Sequence, residues 1–481
     1  MSELKLFNTL SGKKERFVAR ASGKISMYAC GPTVYDACHL GHARMAIVWD
    51  VIHRYLRYSG YDVTFVRNIT DVDDKIINRA RELEITPEQV AREYTFQFWK
   101  DMHLLNVAAP DLEPRATEFI EQMIQYIGRL IDKSHAYVSG SDVYFDVSSF
   151  PGYGKLKKQK LEDLMAGARE QVLSQEELAA RKRNQLDFAL WKACGADQTG
   201  WQSPWGRGRP GWHTECCSMI KHTLGDTIDI HGGGEDLIFP HHDNEIAQAE
   251  SLTGKPLATY WLHNSFVQVD SEKMSKSLGN FYTIDDILSS YSPDTVRLFI
   301  LQTHYRSPIE FTRESLDATR AGLLRLTRAV KKVTAVSSDS ASAQRAAQKP
   351  LGSNSEQTRQ VMEEYQSQFS EAMDNDFNTP SAVALLFHLA DRIFQEPDRD
   401  RSMSYLFALE TFAGVLGLTL ADTSQQLDSQ RISRIMDLVL TLRQESRERK
   451  DFTTADLIRN RLSELGIRVM DTAAGADWER A

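Results

Sequence analysis

Residues 24–66 read KISMYACGPTVYDACHLGHARMAIVWDVIHRYLRYSGYDVTFV, and this stretch decides the fold class. Lys24-Ile25-Ser26-Met27-Tyr28 predicts a short buried strand that Gly31-Pro32 breaks. From about Gly41 the spacing of Ile47, Val48, Ile52, Tyr55 and Leu56 predicts a helix ending near Gly60. Val63 to Val66 predicts a second strand. Asp73 to Leu83 predicts another helix, with Asp73 and Asp74 at the end where acidic side chains suit the dipole. A strand, a long crossover and a second strand imply a parallel pair, because antiparallel neighbours need only a tight turn. Parallel sheets of this kind bind ligands beyond the carboxyl ends of their strands. Loop 29–42 is therefore where the chemistry is expected.

Outward from this unit the pattern changes. Residues 112–205 combine a helical stretch (Phe119 to Ile131), a strand-like run (Asp142 to Asp146) and a charged run (Glu176 to Arg183), and read as an insertion. Near Gly211 the α/β pattern resumes, and Asp229-Ile230-His231 reads as a strand entering a turn at Gly232-Gly233-Gly234. Residues 333–355, rich in Ser, Ala and Gln, have the composition of a linker. Beyond them the pattern is helical, with one helix opening at Asn378-Thr379-Pro380, a capping residue just before a proline of the first turn. The last section pairs two helices with a short extended tail, Ile467 to Met470. The expected architecture is α/β. A Rossmann-like parallel-sheet domain is split into 1–111 and 206–270 around a connective insertion, 112–205. Segment 271–332, linker 333–355, a helical bundle 356–425 and a C-terminal domain 426–481 follow, the C-terminal region being mostly α-helical.

The 481 residues include 57 basic and 66 acidic side chains, a formal charge of −9. With 42% apolar and 26% charged residues the composition is that of a folded globular chain rather than a disordered one. No apolar run approaches the roughly 18 residues of a membrane span, and the first residues lack an apolar signal core, so a cytoplasmic protein with no membrane partner is expected. Cys30, Cys38, Cys194, Cys216 and Cys217 are few and odd in number, which argues against a disulfide scaffold. The acidic balance excludes a general nucleic-acid coat. It does not exclude a selective partner, since residues 431–468 hold nine Arg/Lys against six Asp/Glu. The nine are Arg431, Arg434, Arg443, Arg447, Arg449, Lys450, Arg459, Arg461 and Arg468.

Three constellations carry chemistry. His39-Leu40-Gly41-His42 stands where the first strand gives way to its helix. Gly41 allows close backbone approach, the helix start offers N–H groups to phosphate, and two imidazoles can donate to phosphoryl oxygens as charge shifts onto them. Lys273-Met274-Ser275-Lys276-Ser277, closed by Gly279-Asn280, reads as a flexible cationic loop. Lysine is a mobile point charge, which suits a departing pyrophosphate better than a rigid guanidinium fork. Cys30, Cys216, His241 and Glu245 are distant in sequence but offer two thiolates, an imidazole and a carboxylate, donors that suit zinc. His241 and Glu245 share a face if their stretch is helical. Cys38, Cys217 and His242 compete for the same role.

These motifs, together with RPGWHTEC, DIHGGGEDLIFPHHDNEIAQ and EKMSKSLGNF in this order, resemble the cysteinyl-tRNA synthetases among the class I aminoacyl-tRNA synthetases, over nearly the whole chain. The resemblance implies ATP-dependent activation of L-cysteine to cysteinyl-adenylate, followed by transfer to tRNA(Cys). It implies that His39 and His42 hold the ATP phosphates, with Gly41, and that Lys273 and Lys276 stabilise the transition state. Gly232, Gly233, Gly234 and Asp236 would form a turn over the adenosine. Thr70 would bond the bound cysteine and Trp212 would wall its pocket. One Zn2+ would sit on Cys30, Cys216, His241 and Glu245, and Mg2+ would accompany ATP. Zinc would separate cysteine from serine, near-isosteres that a steric pocket distinguishes poorly. Four protein ligands is the number of a closed structural site, so on this reading one ligand, with Glu245 the candidate, has to loosen. The same resemblance gives residues 426–481 anticodon recognition and the chain a monomeric state. Two alternatives share the motifs: a cysteine ligase with a small amine acceptor, which should not need the portion after Val333, and a non-catalytic zinc-containing RNA-binding protein, which should have lost His39, His42, Lys273 and Lys276.

Overall fold

The computed structural model describes residues 3–159, 182–269, 272–273, 281–334, 356–421 and, with short gaps, 436–480. The chain divides into two compact units, Met1–Ser289 with Pro293–Leu420, and Ala421–Ala481 with Ser290–Ser292. The helical bundle therefore belongs to the same unit as the parallel sheet, and the break falls at 420 rather than the expected 425.

Strands β1 (Lys24–Ala29), β2 (Asp62–Arg67), β3 (Ile228–Gly234) and β4 (Ala258–Asn264) form a parallel sheet in the order β4-β3-β1-β2. Helix α1 (Leu40–Tyr58) joins β1 to β2 and buries Ile47, Val48, Trp49, Val51, Ile52, Tyr55 and Leu56. Each such side chain contributes roughly 1.5–3 kcal/mol on full burial, which is why this short unit organises the domain. From β1 the chain moves to one side to form β2 and later returns on the other side to form β3. The order thus reverses between β1 and β3, and a crevice is expected where their carboxyl ends part.

The insertion folds as a four-stranded antiparallel sheet of Ala136–Ser139, Asp142–Phe145, Phe188–Ala193 and Gly208–Pro210, packed with the helix Ile120–Asp132. Its last strand carries it past the expected limit of 205. Three residues centred on an arginine and ending in proline show no alternation to read. A small sheet pairs Val267–Val269 with Glu272–Lys273 and Ile309–Glu310. The expected charged run up to residue 181, the loop 274–280 and the linker residues 335–355 lie outside the described residues.

Helices Arg313–Thr334, Glu356–Asp374, Thr379–Gln395 and Arg399–Val415 make the bundle, with Phe369 stacked on Phe412 at 4.6 Å. Asn378 caps the third of these as its sequence predicts, its side chain accepting from Ser381 N at 3.2 Å. In the second unit the helix Phe452–Glu464 packs with a hairpin, Ile467–Thr472 and Gly475–Arg480, over Met436, Leu440 and Leu462. The expected tail is thus one arm of that hairpin. Of the nine local cations, Arg431 and Arg434 lie outside the described residues, and Arg443 is buried rather than offered to a partner. Arg447, Arg449, Lys450, Arg459, Arg461 and Arg468 are exposed.

One buried ion pair ties α1 to what lies behind it. The Arg297 guanidinium donates to Asp50, to Leu416 O at 2.6 Å, and to Leu105 O and Asn106 O at 3.1 Å each, and both charged side chains are fully buried. Arg297→Met is expected to destabilise the chain by about 3 kcal/mol, the lower end for breaking a buried pair, because Arg54 also donates to Asp50 at 2.9 Å. A denaturant midpoint shift in the single variant, partly restored when Asp50→Asn is added, would bear this out. An unchanged midpoint would not.

Candidate active site and metal centre

Cys30 leaves the tip of β1, its N–H donating to Gly232 O on β3 at 3.1 Å. Cys216 lies on α2 (Trp212–Thr223), the helix that leads into β3. His241 and His242 sit on a five-residue wide turn, Ile238–His242, and Glu245 lies in the first turn of α3 (Asp243–Thr253). The helix expected to carry His241 begins two residues after it. The wide turn still brings His241 Nε2 to 2.8 Å from Glu245 Oε1.

These residues, all buried, converge at the β1–β3 crevice. Cys30 Sγ lies 3.8 Å from Cys216 Sγ, 3.5 Å from His241 Nε2, 3.4 Å from His242 Nε2 and 3.7 Å from Glu245 Oε1. Cys216 Sγ is 3.6 Å from His241 Nε2. Cys30, His241, His242 and Glu245 offer ligand atoms all within 4.8 Å of one another, so this cluster could hold a metal ion. Three of the four residues expected from the sequence, Cys30, His241 and Glu245, are in this group, with His242 as its fourth member; Cys216 borders it through Cys30 and His241. Cys217, one position along α2, turns away and approaches Glu245 O at 3.5 Å. Cys38 lies in the loop that enters α1.

The surrounding shell is histidine-rich, and sequence reading passed over it. His213 Nδ1 is 2.8 Å from His241 Nδ1, an arrangement that turns Nε2 of His241 toward the cluster. His231 bridges Tyr28 O at 3.1 Å and Glu245 Oε2 at 2.6 Å, and His263 Nε2 meets His242 Nδ1 at 2.8 Å. The only signal in the sequence was the density of histidines around 231–242. Electrostatically the cluster behaves as one body. A hydrogen bond from Cys30 draws the Cys216 thiol down to about 7 against the opposing effect of burial. Burial, then the Cys216 neighbour, pushes the Cys30 thiol well up. Burial would raise the Glu245 carboxyl and lower His241. The His241 and His231 charges hold Glu245 well below the usual carboxylate range, and the Glu245 charge helps raise His241 to about 10. The anionic donors thus keep a proton on His241, where a divalent cation would replace it.

His39 is the N-cap of α1. Its Nδ1 accepts from Gly41 N at 3.0 Å, and His42 Nδ1 accepts from His39 N at 3.2 Å, a reciprocal capping box built from two imidazoles. Because each Nδ1 is an acceptor, each neutral ring carries its proton on Nε2. Gly41 is glycine for a reason not expected: a Cβ there would lie 2.8 Å from Cε1 of His39, whose ring folds over it. The chain beyond the lysine-rich motif returns to this loop, with Leu40 N donating to Tyr282 O at 3.2 Å and Ile284 N to Cys38 O at 3.0 Å. Lys273 belongs to a two-residue strand paired with Gln268, not to a loop, and Lys276 lies outside the described residues.

Gly232, Gly233 and Gly234 do not form the expected turn but continue β3, pairing with Leu262, His263 and Asn264. A Cβ on Gly232 would come within 1.7 Å of Leu262 O, so close packing of backbones, not turn geometry, demands glycine. Asp236 follows in the short turn Glu235–Leu237. Thr70 is buried, donates to Glu215 Oε2 at 3.2 Å and accepts from Asn68 Nδ2 at 3.2 Å. Trp212 is 37% exposed and stacks on His241 at 4.1 Å, so it covers the cluster on one side. Asn68 was missed: its Oδ1 accepts from Gly31 N at 2.9 Å and lies 3.9 Å from Cys216 Sγ, pinning the loop after β1 to the cluster.

Comparison with known proteins gives concordant results. A family model described as "tRNA synthetases class I (C) catalytic domain" matches residues 16–321, and one described as "DALR domain" matches 368–421. The cysteine–tRNA ligase of Heliobacterium modesticaldum is 45% identical over 488 residues, covering 99% of this chain and 100% of that protein. That of Moorella thermoacetica is 46% identical, covering 99% and 100%. Among solved structures, a LeuRS–tRNA complex from Agrobacterium radiobacter aligns with a TM-score of 0.59 at 13% identity, over 84% of this chain and 86% of that one. A Mycobacterium tuberculosis methionyl-tRNA synthetase aligns with 0.56 at 16% identity, over 87% and 94%. At such identities these two similarities concern the fold alone.

Proposed function

The chain belongs to the cysteine–tRNA ligases, a family of class I aminoacyl-tRNA synthetases, and from that premise we propose how its residues divide the work. The reaction joins L-cysteine to ATP, releasing pyrophosphate, and passes the cysteinyl group from the adenylate to tRNA(Cys). The carboxylate of cysteine attacks the α-phosphorus in line, so catalysis is mainly positioning and charge stabilisation. His39 and His42 donate Nε2–H to the phosphates, the capping box having fixed both tautomers. Lys273 and Lys276 neutralise the charge that grows on the leaving pyrophosphate, and Mg2+ accompanies the nucleotide. Gly41, Gly232, Gly233, Gly234 and Asp236 line the nucleotide site. Thr70 and Trp212 hold the amino acid.

The metal in this reading is zinc, on Cys30, Cys216, His241 and Glu245. A tetrahedron with Zn–S near about 2.3 Å and Zn–N near about 2.0 Å requires edges of about 3.8 Å between sulfurs and about 3.5 Å between sulfur and nitrogen. The observed 3.8, 3.5 and 3.6 Å among Cys30, Cys216 and His241 match that figure, and this observation supports those three ligands most, while Glu245 Oε1 lies at hydrogen-bond distance, 2.8 Å, from His241 Nε2. When bound, zinc supplies a soft Lewis acid that prefers a thiolate to a hydroxyl and so separates cysteine from serine. The chain's own part is to keep the donors buried and oriented, through His213 on His241, His231 on Glu245 and Asn68 beside Cys216. A monomer acting in the cytoplasm completes the proposal. Among the described residues no helix is long and apolar enough to cross a membrane.

The reading is tested by exchange of labelled pyrophosphate into ATP. Exchange is expected with cysteine and at least about 100-fold less with serine, a margin that a steric pocket alone does not reach for near-isosteres. Absence of cysteine-dependent exchange would overturn it, and exchange without charging of tRNA(Cys) would point to another acceptor.

A further inference from the structure

We propose that the cavity between the helices Asp74–Leu83 and Pro87–Leu104 receives an unpaired nucleotide from the acceptor end of the tRNA, an inference that rests on the synthetase reading above. The cavity measures about 400 Å3. Val72, Ile76 and Ala91 give it an apolar floor, Trp201 of the insertion supplies an aromatic wall, and Arg92 and Arg115 stand among its polar lining. It begins at Asp71, directly after Thr70, whose hydroxyl donates to Glu215, the neighbour of Cys216. The lining thus starts one residue from Thr70, which the reading above places at the bound cysteine.

The charges in the lining decide what can enter. Two of its three acids are hydrogen-bonded within the fold: Asp71 accepts from Thr117 N at 2.9 Å and Thr117 Oγ1 at 2.6 Å, and Asp73 accepts from Lys75 N at 2.8 Å as a helix cap; the third, Glu88, is exposed and accepts from Thr199 Oγ1 at 3.5 Å. Arg92 and Arg115 make no ion pair among the described residues, and Arg115 lies over the Trp99 ring at 5.4 Å. An apolar floor, an indole wall and two arginines, Arg92 exposed and Arg115 close enough for its charge to act on Asp71, form a receptor for a stacked base with its phosphate. ATP and cysteine are accounted for by the residues around Cys30 and His39, so neither needs it. The helix that carries Arg92 continues the theme outward. Phe96 is 71% exposed and Trp99 39% exposed, four and seven residues on from Arg92 and so on the same face. Exposed aromatic rings beside arginine form a path on which successive unpaired bases can stack.

The test separates the two steps of the reaction. Trp201→Ala and, independently, the exposed Arg92→Ala are expected to raise the KM for tRNA(Cys) by about ten-fold or more, the size of a lost base stack or phosphate contact. Cysteine-dependent pyrophosphate exchange should stay within about two-fold of the parent, because activation precedes tRNA binding to this cavity. Trp201→Phe keeps a stacking face and should restore most of the tRNA affinity. An unchanged KM for tRNA in Arg92→Ala and Trp201→Ala, with parent exchange intact, would overturn the cavity proposal and leave the synthetase reading standing. Equal loss of exchange and charging in Trp201→Ala would also overturn it, since Trp201 would then be packing. If the parent protein shows no cysteine-dependent exchange, the synthetase reading falls and the cavity proposal with it.

Discussion

Cys216→Ser is expected to lose stoichiometric zinc on dialysis, while His242→Gln and Cys217→Ser keep it. Five donors surround the site, and a tetrahedral ion takes four, so one must be a bystander. Cys216 has the two edges that zinc geometry asks for, 3.8 Å to Cys30 Sγ and 3.6 Å to His241 Nε2. His242 has one suitable edge, 3.4 Å to Cys30 Sγ, but its other nitrogen is engaged by His263 at 2.8 Å, and His263 in turn meets Thr9 Oγ1 at 2.8 Å. That chain serves equally well to hold a packed histidine in place. Serine at 216 replaces a soft thiolate with a hard hydroxyl that stays protonated at neutral pH, and the affinity should fall by more than about 100-fold, since supporting residues one step removed already cost about 10–100-fold. Zinc measured per chain gives the answer without any activity assay. Retention of metal in Cys216→Ser with loss in His242→Gln would make the Cys30, His241, His242 and Glu245 set the true one.

The same comparison shows what a sequence can and cannot carry. The unit from Lys24 to Arg67 was legible because buried parallel strands and a largely buried helix write their periods in apolar residues, and β1, α1 and β2 lie within two residues of their expected ends. Glycine carries no such signal. At Gly232 to Gly234 the absence of side chains read as a turn, whereas the three continue β3, and at Gly232 the backbone of β4 comes too close for any Cβ. The cluster was legible in its residue types and not in its membership. His241 and His242 are adjacent on a wide turn, where neighbouring side chains can reach one centre, and helical periodicity gives no means of choosing between them. Asn68 and His213 act through other residues, and their spacing from Cys216 and His241 is fixed by β2 and α2 meeting at the crevice, a tertiary fact. For His39 and His42 the sequence suggested a pair of phosphate donors. What it could not show is that the two rings cap each other's backbone and thereby choose their own tautomers.

That double duty makes His42 a residue whose two roles can be separated. His42→Ala removes the acceptor that takes His39 N–H, which should cost about 1 kcal/mol of stability as lost N-caps do. It also removes a proton donor aimed at developing phosphoryl charge, and cysteine-dependent exchange should fall by about 10²–10³-fold in kcat, the usual cost of one such donor. Taken alone, the alanine variant cannot distinguish a misformed helix start from a missing donor. Asparagine can, because its side-chain oxygen reaches about where Nδ1 stands and accepts the same backbone N–H, but it places no N–H at the position of Nε2. His42→Asn is therefore expected to recover most of the unfolding temperature lost in His42→Ala and almost none of the turnover, with zinc content unchanged in both because no ligand of the cluster is touched. The KM for ATP should rise less than kcat falls, since a donor that matters most as charge accumulates binds the transition state better than the substrate. Turnover restored together with stability in His42→Asn would reduce His42 to a cap and leave phosphate stabilisation to His39 and the lysines.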